Sequence, residues 1–237
     1  MPQSKIDRRY YQLRGHHADY RQREWTALRW LKRRIDATCY VSWSAGKDSM
    51  VAAHLAQRLQ PGIQMLMVDP GVPVHWTESD RSLMLDFAAS DGWNVRLVPW
   101  DKFGVATPDD QRAYRDSIHT RMFGDLTAYA DGAGLSCRIT GMRAAESRNR
   151  ARLLRSRRGE TAHTLQPIWD WTTDDVWTYT VSHELPWLSI YDHLGPAARN
   201  GLIGKNGTEQ GRMVYLRKYY PEAFRMACEL IEGRSYV

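Results

Sequence analysis

The sequence of 237 residues lacks the long apolar segment that a membrane protein needs. No run of about 18 apolar residues occurs, and the mean hydropathy is −0.58. Residues 1–15 carry charges with no apolar stretch behind them, so we expect no signal peptide. With 43% hydrophobic and 25% charged residues, the composition is typical of a globular protein, which we expect in the cytoplasm and away from membranes.

Cysteine is also scarce. Cys39, Cys137 and Cys228 are the only three in the chain, and they lie about 90 residues apart. No CxxC pair or Cys/His cluster is present, so the sequence encodes no local zinc or cysteine-held iron–sulfur site. We expect three buried thiols in a reducing compartment.

Acidic residues are outnumbered, at 27 against 33 lysines and arginines, which gives a net charge of +6. The excess is concentrated in two places. Residues 1–34 carry ten basic and three acidic residues, and residues 143–158 carry seven arginines. Clusters of this kind suit a nucleic acid, a polyphosphate nucleotide or a solvated basic face, and charge alone does not separate the three.

The remaining pattern alternates strands with helices. Predicted strands cover 38–41, 63–68, 93–98 and 135–140, and predicted helices include 18–35, 77–90 and 108–131. This alternation predicts an α/β fold: a mainly parallel twisted sheet with helices on both faces and a small helical C-terminal region. Because such sheets bind ligands beyond the carboxyl ends of their strands, the loops at 42–49, 69–77, 99–104 and 141–150 are the candidate contacts.

The loop at 42–49 reads Ser-Trp-Ser-Ala-Gly-Lys-Asp-Ser between a predicted strand and a predicted helix. Small residues there let backbone N–H groups converge on an anion in front of a helix N-terminus. Ser44 and Ser49 add hydroxyl groups, and Lys47 adds a positive charge. Asp48 either caps the helix or holds a metal ion through water. The spacing GxxxxGK[ST] is not satisfied, so the loop is no Walker A motif.

Residues 44–49, Ser-Ala-Gly-Lys-Asp-Ser, resemble the SGGKDS signature of the PP-loop ATP pyrophosphatases, with alanine in place of the first glycine. Three later segments resemble the phosphoadenosine phosphosulfate (PAPS) reductase-like branch of that superfamily. They are Val68-Asp69-Pro70-Gly71 with Thr77, the GxRxxES element at 141–147, and the tryptophan-rich block at 167–179 followed by Leu185-Pro186-Trp187 and Ile190-Tyr191-Asp192. The ordered set covers residues 38–192, about two thirds of the chain.

The resemblance implies an adenine nucleotide, either ATP or a PAPS-like compound, together with Mg²⁺. The implied nucleotide contacts are Ser42, Ser44, Ala45, Gly46, Lys47, Asp48, Ser49, Asp69, Gly71, Gly141, Arg143 and Arg148. Lys47, Asp48 and Arg143 are the candidate catalytic residues, and Asp48 is also the candidate metal ligand. For Arg143, a bidentate contact with phosphate competes with an ion pair to Glu146 on the next helical turn.

The chain departs from the reductases where their chemistry needs a thiol. Those enzymes attack the sulfur of PAPS with a cysteine in a C-terminal ECGxH element, which this sequence lacks. Residues 199–207 are rich in glycine but hold no cysteine pair of the kind other relatives carry. We therefore predict ATP-dependent adenylyl transfer to an unidentified acceptor, with release of pyrophosphate. Two alternatives stay open: a reductase that uses Cys228 or a partner's thiol, and a nucleotide- or nucleic-acid-binding module without catalysis of its own.

Three units are predicted along the chain. They are a basic N-terminal helix at 1–35, a nucleotide-binding α/β domain at 36–165, and a tryptophan-rich helical subdomain at 166–237. Trp169, Trp171 and Trp177 are expected in the core, and Asp174 is expected to cap the helix that follows it.

Overall fold

The computed structural model describes residues 4–69, 77–99, 124–198 and 212–222, together with residues 224, 225 and 228. Its strands are β1 (Cys39–Ser42), β2 (Gln64–Asp69), β3 (Asn94–Pro99), β4 (Cys137–Ile139), β5 (Glu160–Thr161) and β6 (Thr164–Leu165). They form one sheet in the order β3-β2-β1-β4-β6-β5. Every pairing is parallel except the short antiparallel contact of β5 with β6. The predicted α/β fold with a mainly parallel sheet is confirmed.

The helices are α1 (Arg8–Gly15), α2 (Ala18–Lys32), α3 (Lys47–Leu59), α4 (Glu78–Ser90), α5 (124–132), α6 (Arg148–Arg157), α7 (Thr173–Ser182), α8 (Ser189–Leu194) and α9 (Arg212–Tyr219). The first part of the long helix predicted at 108–131 lies outside the described residues. None of the described helices combines the length and the apolar composition that crossing a bilayer requires.

Both faces of the sheet are covered, because alternate residues of a strand belong to different apolar clusters. Val41 and Met65 pack with α3 and α7 in the larger cluster. Tyr40 and Leu66, their neighbours along the strands, pack with Leu126 of α5 in the smaller one. The larger cluster also takes residues from α1, α2, α8 and α9, so one core connects all three predicted units. The division into those units stays a prediction.

The basic N-terminal segment forms two helices rather than the single helix predicted. Asp7 caps α1 by accepting a hydrogen bond from the backbone N–H of Tyr10. At the other end of α1, a Cβ on Gly15 would lie 2.3 Å from the hydroxyl oxygen of Ser182, so glycine permits α1 to approach α7 this closely. The chain turns at His16 and His17 and then begins α2.

The cap of α7 also differs from the prediction. Thr172, rather than Asp174, precedes the helix, and its hydroxyl accepts from the backbone N–H of Asp175. The Asp175 carboxylate accepts in return from the backbone N–H of Thr172 at 2.8 Å, which completes a capping box. Asp174 therefore lies inside the first turn. Trp171 and Trp177 are buried as predicted, whereas Trp169 is half-buried.

A polar network fastens α3 to α2 and α7 beneath the sheet. The Glu24 carboxylate accepts hydrogen bonds from Arg58 at 2.7 Å and from His183 at 3.0 Å. Burial alone would raise the pKa of Glu24, but these two hydrogen bonds outweigh it and lower that pKa to about 2. His54 contacts the hydroxyl of Tyr179 at 2.9 Å, and burial lowers the pKa of its imidazole to about 4.

Candidate functional site

The loop that the sequence singled out joins the carboxyl end of β1 to the first turn of α3, as predicted. Ser42 is the last residue of β1, and Gly46 is the residue that precedes the helix. Gly46 has no side chain to cap α3, so the start of the helix keeps the partial positive charge that attracts anions, although one of its N–H groups, that of Lys47, donates to the hydroxyl of Tyr191. Ala45 adopts a φ of 51°, in the left-handed region, with its side chain buried. The position that holds glycine in the SGGKDS signature thus keeps a backbone that favours glycine.

The two hydroxyls of the loop have different roles. Ser49 is buried, and its hydroxyl donates to the carbonyl of Gly46 at 2.9 Å while accepting from the backbone N–H of Ser44 at 3.2 Å. Its oxygen lies 3.0 Å from the hydroxyl oxygen of Ser44. Ser49 therefore holds the loop together from inside. Ser44 is exposed, and its contact with a nucleotide stays a prediction.

Asp48 lies between two cations. One carboxylate oxygen accepts from the Nζ of Lys47 at 2.9 Å, and the other accepts from the Nε of Arg143 at 2.7 Å. The side chains of Lys47 and Arg143 are only 8% and 3% exposed, so these contacts are largely shielded from water. The interpretation of Asp48 as a helix cap is wrong, because Gly46 occupies that position and the carboxylate turns to the side instead.

Arg143 is buried beside the loop and is not exposed to solvent at its surface. Besides Asp48, its guanidinium donates to the backbone carbonyl of Trp171 at 3.1 Å. The expected competitor, an ion pair of this guanidinium with Glu146, is not formed: Glu146 accepts from the backbone N–H of Arg143 at 2.9 Å and pairs with Arg150. Direct contact of Arg143 with phosphate stays a prediction, and the geometry favours a role in positioning Asp48.

Gly141 allows the segment after β4 to approach the first turn of α3 closely. A Cβ at this residue would lie 2.3 Å from the backbone carbonyl carbon and oxygen of Asp48 and 2.6 Å from the nitrogen of Ser49. Gly141 thus packs directly against the first turn of α3. At Gly46 the situation is the reverse, because φ is −67° and the nearest atom to an added Cβ would be 3.6 Å away. The fold itself does not need glycine there, and the missing side chain leaves room beside the loop.

Tyr191 belongs to the site, although the sequence argument assigned it no role. It is buried in α8, and its hydroxyl accepts a hydrogen bond from the backbone N–H of Lys47 at 3.2 Å. The Nζ of Lys47 lies 5.5 Å from the centre of the same ring. Burial raises the pKa of Tyr191 and keeps the phenol neutral. The segment Ile190-Tyr191-Asp192 was already part of the family resemblance, and that was the signal that could have identified this residue.

A second carboxylate holds α8 in place. Asp80, in the first turn of α4, accepts from the backbone N–H of Ser189 at 2.8 Å and from its hydroxyl at 3.0 Å. The hydroxyl of Ser189 also contacts that of Tyr215 in α9 at 2.6 Å. Helices α4 and α9 therefore hold α8 in place, and α8 carries Tyr191, which contacts the loop.

The remaining predicted site residues are Asp69, Gly71 and Arg148. Arg148 is exposed at the start of α6, and Asp69 ends β2. Gly71 lies outside the described residues. Both oxygens of Asp48 already accept from cations, and the described part of the chain holds no group of three or more potential metal ligands. The donor set therefore does not favour a Mg²⁺ site built on Asp48, which stays a prediction.

Two of the thiols lie far from the loop. Cys39 and Cys137 are the first residues of β1 and β4 and face each other in register. They lie at the amino ends of these strands, opposite to the carboxyl ends that carry the loop. Cys39 is buried and Cys137 is half-buried, and the hydrogen bond between them together with burial raises the pKa of Cys137. Cys228 is half-buried at a helical residue near the C-terminus.

Known proteins resemble this chain in both sequence and fold. The profile of the phosphoadenosine phosphosulfate reductase domain matches residues 107–195. A phosphoadenosine 5′-phosphosulfate reductase of Xanthomonas euvesicatoria is 26% identical over 198 residues, which cover 76% of this chain and 75% of that protein. An uncharacterised protein of Methanocaldococcus jannaschii is 24% identical over 82% of this chain, although the match spans 48% of that protein.

Among solved structures, the U34-tRNA thiolase NcsA of Methanococcus maripaludis, determined with its [4Fe-4S] cluster, matches 91% of this chain and 78% of its own with a TM-score of 0.52. The sequences are 12% identical, so this likeness concerns the fold alone. The comparisons confirm the resemblance that the motifs predicted: the chain is similar in sequence to PAPS reductases, and it shares an α/β fold with the thiolase.

Proposed function

We propose that the protein binds ATP at the loop of residues 42–49 and transfers its adenylyl group to an acceptor. The observation that supports this proposal is the loop itself. A helix N-terminus whose preceding residue, Gly46, has no side chain lies at the carboxyl ends of the strands together with the exposed hydroxyl of Ser44 and the ammonium of Lys47. Two cations surround the single carboxylate of Asp48, so the charge beside the loop is net positive and suits a polyphosphate.

The proposed reaction needs no covalent intermediate with the protein. A nucleophilic oxygen of the acceptor bonds to the α-phosphorus of ATP and loses its proton, while the bond from that phosphorus to the α–β bridging oxygen breaks. The products are the adenylylated acceptor, pyrophosphate and one proton. Reactions of this type depend on positioning and on stabilising the charge that develops on the phosphates. The loop N–H groups and Lys47 would supply that stabilisation, and Arg143 would hold Asp48 and the helix start in place.

Two measurements test this function. Equilibrium dialysis with ATP should show binding that Lys47→Gln weakens at least tenfold, because the variant loses a charged hydrogen bond to phosphate. Lys218→Gln, an exposed lysine on α9, serves as the matched control and should bind as the wild type does. Exchange of labelled pyrophosphate into ATP, measured with a panel of acceptors, then reports the chemistry. Binding without exchange for any acceptor would favour a binding module instead.

Sulfonucleotide reduction is a second candidate, because reductases are among the sequence relatives. It would need Cys228 or a thiol supplied by a partner protein, since Cys39 and Cys137 lie at the far edge of the sheet. Release of sulfite from PAPS in the presence of a dithiol reductant measures it. Cys228→Ser should abolish that release if Cys228 is the nucleophile, and Cys137→Ser should leave it intact.

A further inference from the structure

Helix α6 exposes a dense row of positive charge next to the candidate site. Its residues and the turn after it carry Arg148, Arg150, Arg152, Arg155, Arg157 and Arg158, all of them exposed. No acidic residue occurs between Ser147 and Gly159. Within the part of the chain that the structure describes, Arg150 alone among the six forms an ion pair, with Glu146. Five guanidinium groups therefore have no carboxylate partner there.

This arrangement costs the helix stability. Arg148 and Arg150 lie in the first turn, where the helix dipole is positive and where no acidic residue is present. Arg148 and Arg152 are four residues apart, a spacing at which like charges repel. A bound polyanion would offset both costs at once. The charge pattern therefore destabilises the isolated helix and is consistent with a surface that binds a polyanion.

The arginine row also lies between the other basic region, residues 1–34, and the loop at 42–49. At its N-terminal end, α6 follows Arg143, whose guanidinium contacts Asp48 at 2.7 Å. At its other end, Glu160 of β5 pairs with Arg34, just beyond α2, at 2.6 Å. The C-terminal end of the basic α2 therefore lies beside the last arginines of α6. A polymer bound along α6 would run from this junction toward the nucleotide loop.

Of the possible polyanions, a nucleic acid fits best. Arginine binds phosphate through two parallel hydrogen bonds, and Arg148, Arg152 and Arg155 line one side of the helix over roughly 10 Å. A membrane-surface helix would need a broad apolar face, but Leu153 is the one large apolar side chain that α6 exposes. A protein partner would need an apolar interface centre, which α6 lacks for the same reason.

We propose that the arginine row of α6 binds the phosphodiester backbone of a nucleic acid and so presents RNA or DNA as the acceptor. The acceptor role rests on the proposed function, whereas the binding surface does not.

The test is fluorescence anisotropy with labelled 20-nucleotide RNA and DNA, each single- and double-stranded, at 50 and 200 mM KCl. Binding through four or five phosphates should weaken roughly 50- to 500-fold over that range of salt. Arg152→Glu combined with Arg155→Glu should weaken binding at least tenfold at 50 mM and flatten the salt dependence. Arg217→Glu with Lys218→Glu on α9 makes the same charge change on another exposed face and should bind within twofold of the wild type.

The outcomes separate the surface from the nucleotide site. Preference among the four oligonucleotides identifies the nucleic acid. No binding of any oligonucleotide at 50 mM KCl, or equal losses in the α6 and α9 variants, overturns the proposal. ATP binding by the α6 variant should equal that of the wild type, because neither substituted arginine touches the loop. Oligonucleotide binding without ATP binding would leave the surface standing and reject the proposed function.

Discussion

Replacing Gly141 by alanine tests the packing on which the candidate site depends. The new Cβ would lie 2.3 Å from two backbone atoms of Asp48, whereas ordinary contacts begin at 3.4 Å. The segment after β4 must therefore move away from α3 by about 1 Å. Backbone atoms cannot rotate aside as a side chain can, so we expect a loss of about 1–3 kcal/mol in the free energy of unfolding, as for other overpacked sites. For a chain of this length each kcal/mol lowers Tm by about 2–4 °C.

The displacement should also disturb the contacts of the candidate site. Arg143 is two residues from Gly141, and its 2.7 Å contact with Asp48 will lengthen if the segment moves. We therefore expect weaker ATP binding as well as lower stability in Gly141→Ala. Urea unfolding followed by circular dichroism measures the first effect, and equilibrium dialysis with ATP measures the second.

Gly46→Ala is the matched control. The same added methyl meets its nearest atom at 3.6 Å, and φ is already −67°, so the free energy of unfolding should change by less than about 1 kcal/mol. Its methyl would however occupy the space beside the loop, so ATP binding should weaken at least tenfold. Equal stability losses in the two variants, or a Gly141→Ala protein as stable as the wild type, would refute the reasoning.

Three further expectations concern single contacts. Tyr191→Phe leaves the buried N–H of Lys47 without its acceptor and should lower the free energy of unfolding by about 1–3 kcal/mol, measured in urea. Arg143→Lys cannot keep both hydrogen bonds of the guanidinium and should cost a similar amount in the same assay. Because the folded-state pKa of Glu24 lies near 2, below its ordinary value of 4.5, its contribution to stability is complete above pH 4.5 and declines as the pH falls toward 2. Glu24→Gln should make stability less dependent on pH in that range, as acid titration of unfolding will show.

The sheet and the position of the loop followed from local patterns. Short apolar strands alternating with helices predict a parallel sheet wherever they occur, and parallel strands bring their carboxyl ends to one edge. The position of the loop at 42–49 was therefore predicted correctly from the sequence pattern. The two-helix form of the N-terminal segment was missed, although Asp7 and Gly15 are local signals for the start and the end of α1; the close packing of Gly15 against Ser182 in α7, in contrast, has no local signal.

The contacts within the site were less accessible for the same reason. Asp48 and Arg143 are 95 residues apart, and no spacing rule connects them. Sequence reasoning therefore gave Asp48 a role as a helix cap or a metal ligand and gave Arg143 either phosphate or Glu146 as partner, and it did not predict the ion pair between Asp48 and Arg143. A charged residue can be recognised in a sequence, but the choice between a ligand and a buried partner depends on tertiary packing.

The hydrogen bond from Lys47 to Tyr191 also sets the order in which the site can form as the chain is made. The phenol is synthesised 144 residues after the backbone N–H that it accepts from. At roughly 5–20 residues per second, the loop is synthesised roughly 7–30 s before Tyr191. During that interval the growing chain presents the loop without the tyrosine that holds it. A nascent chain of this protein should therefore acquire its binding site late, after most of the sheet has already been translated.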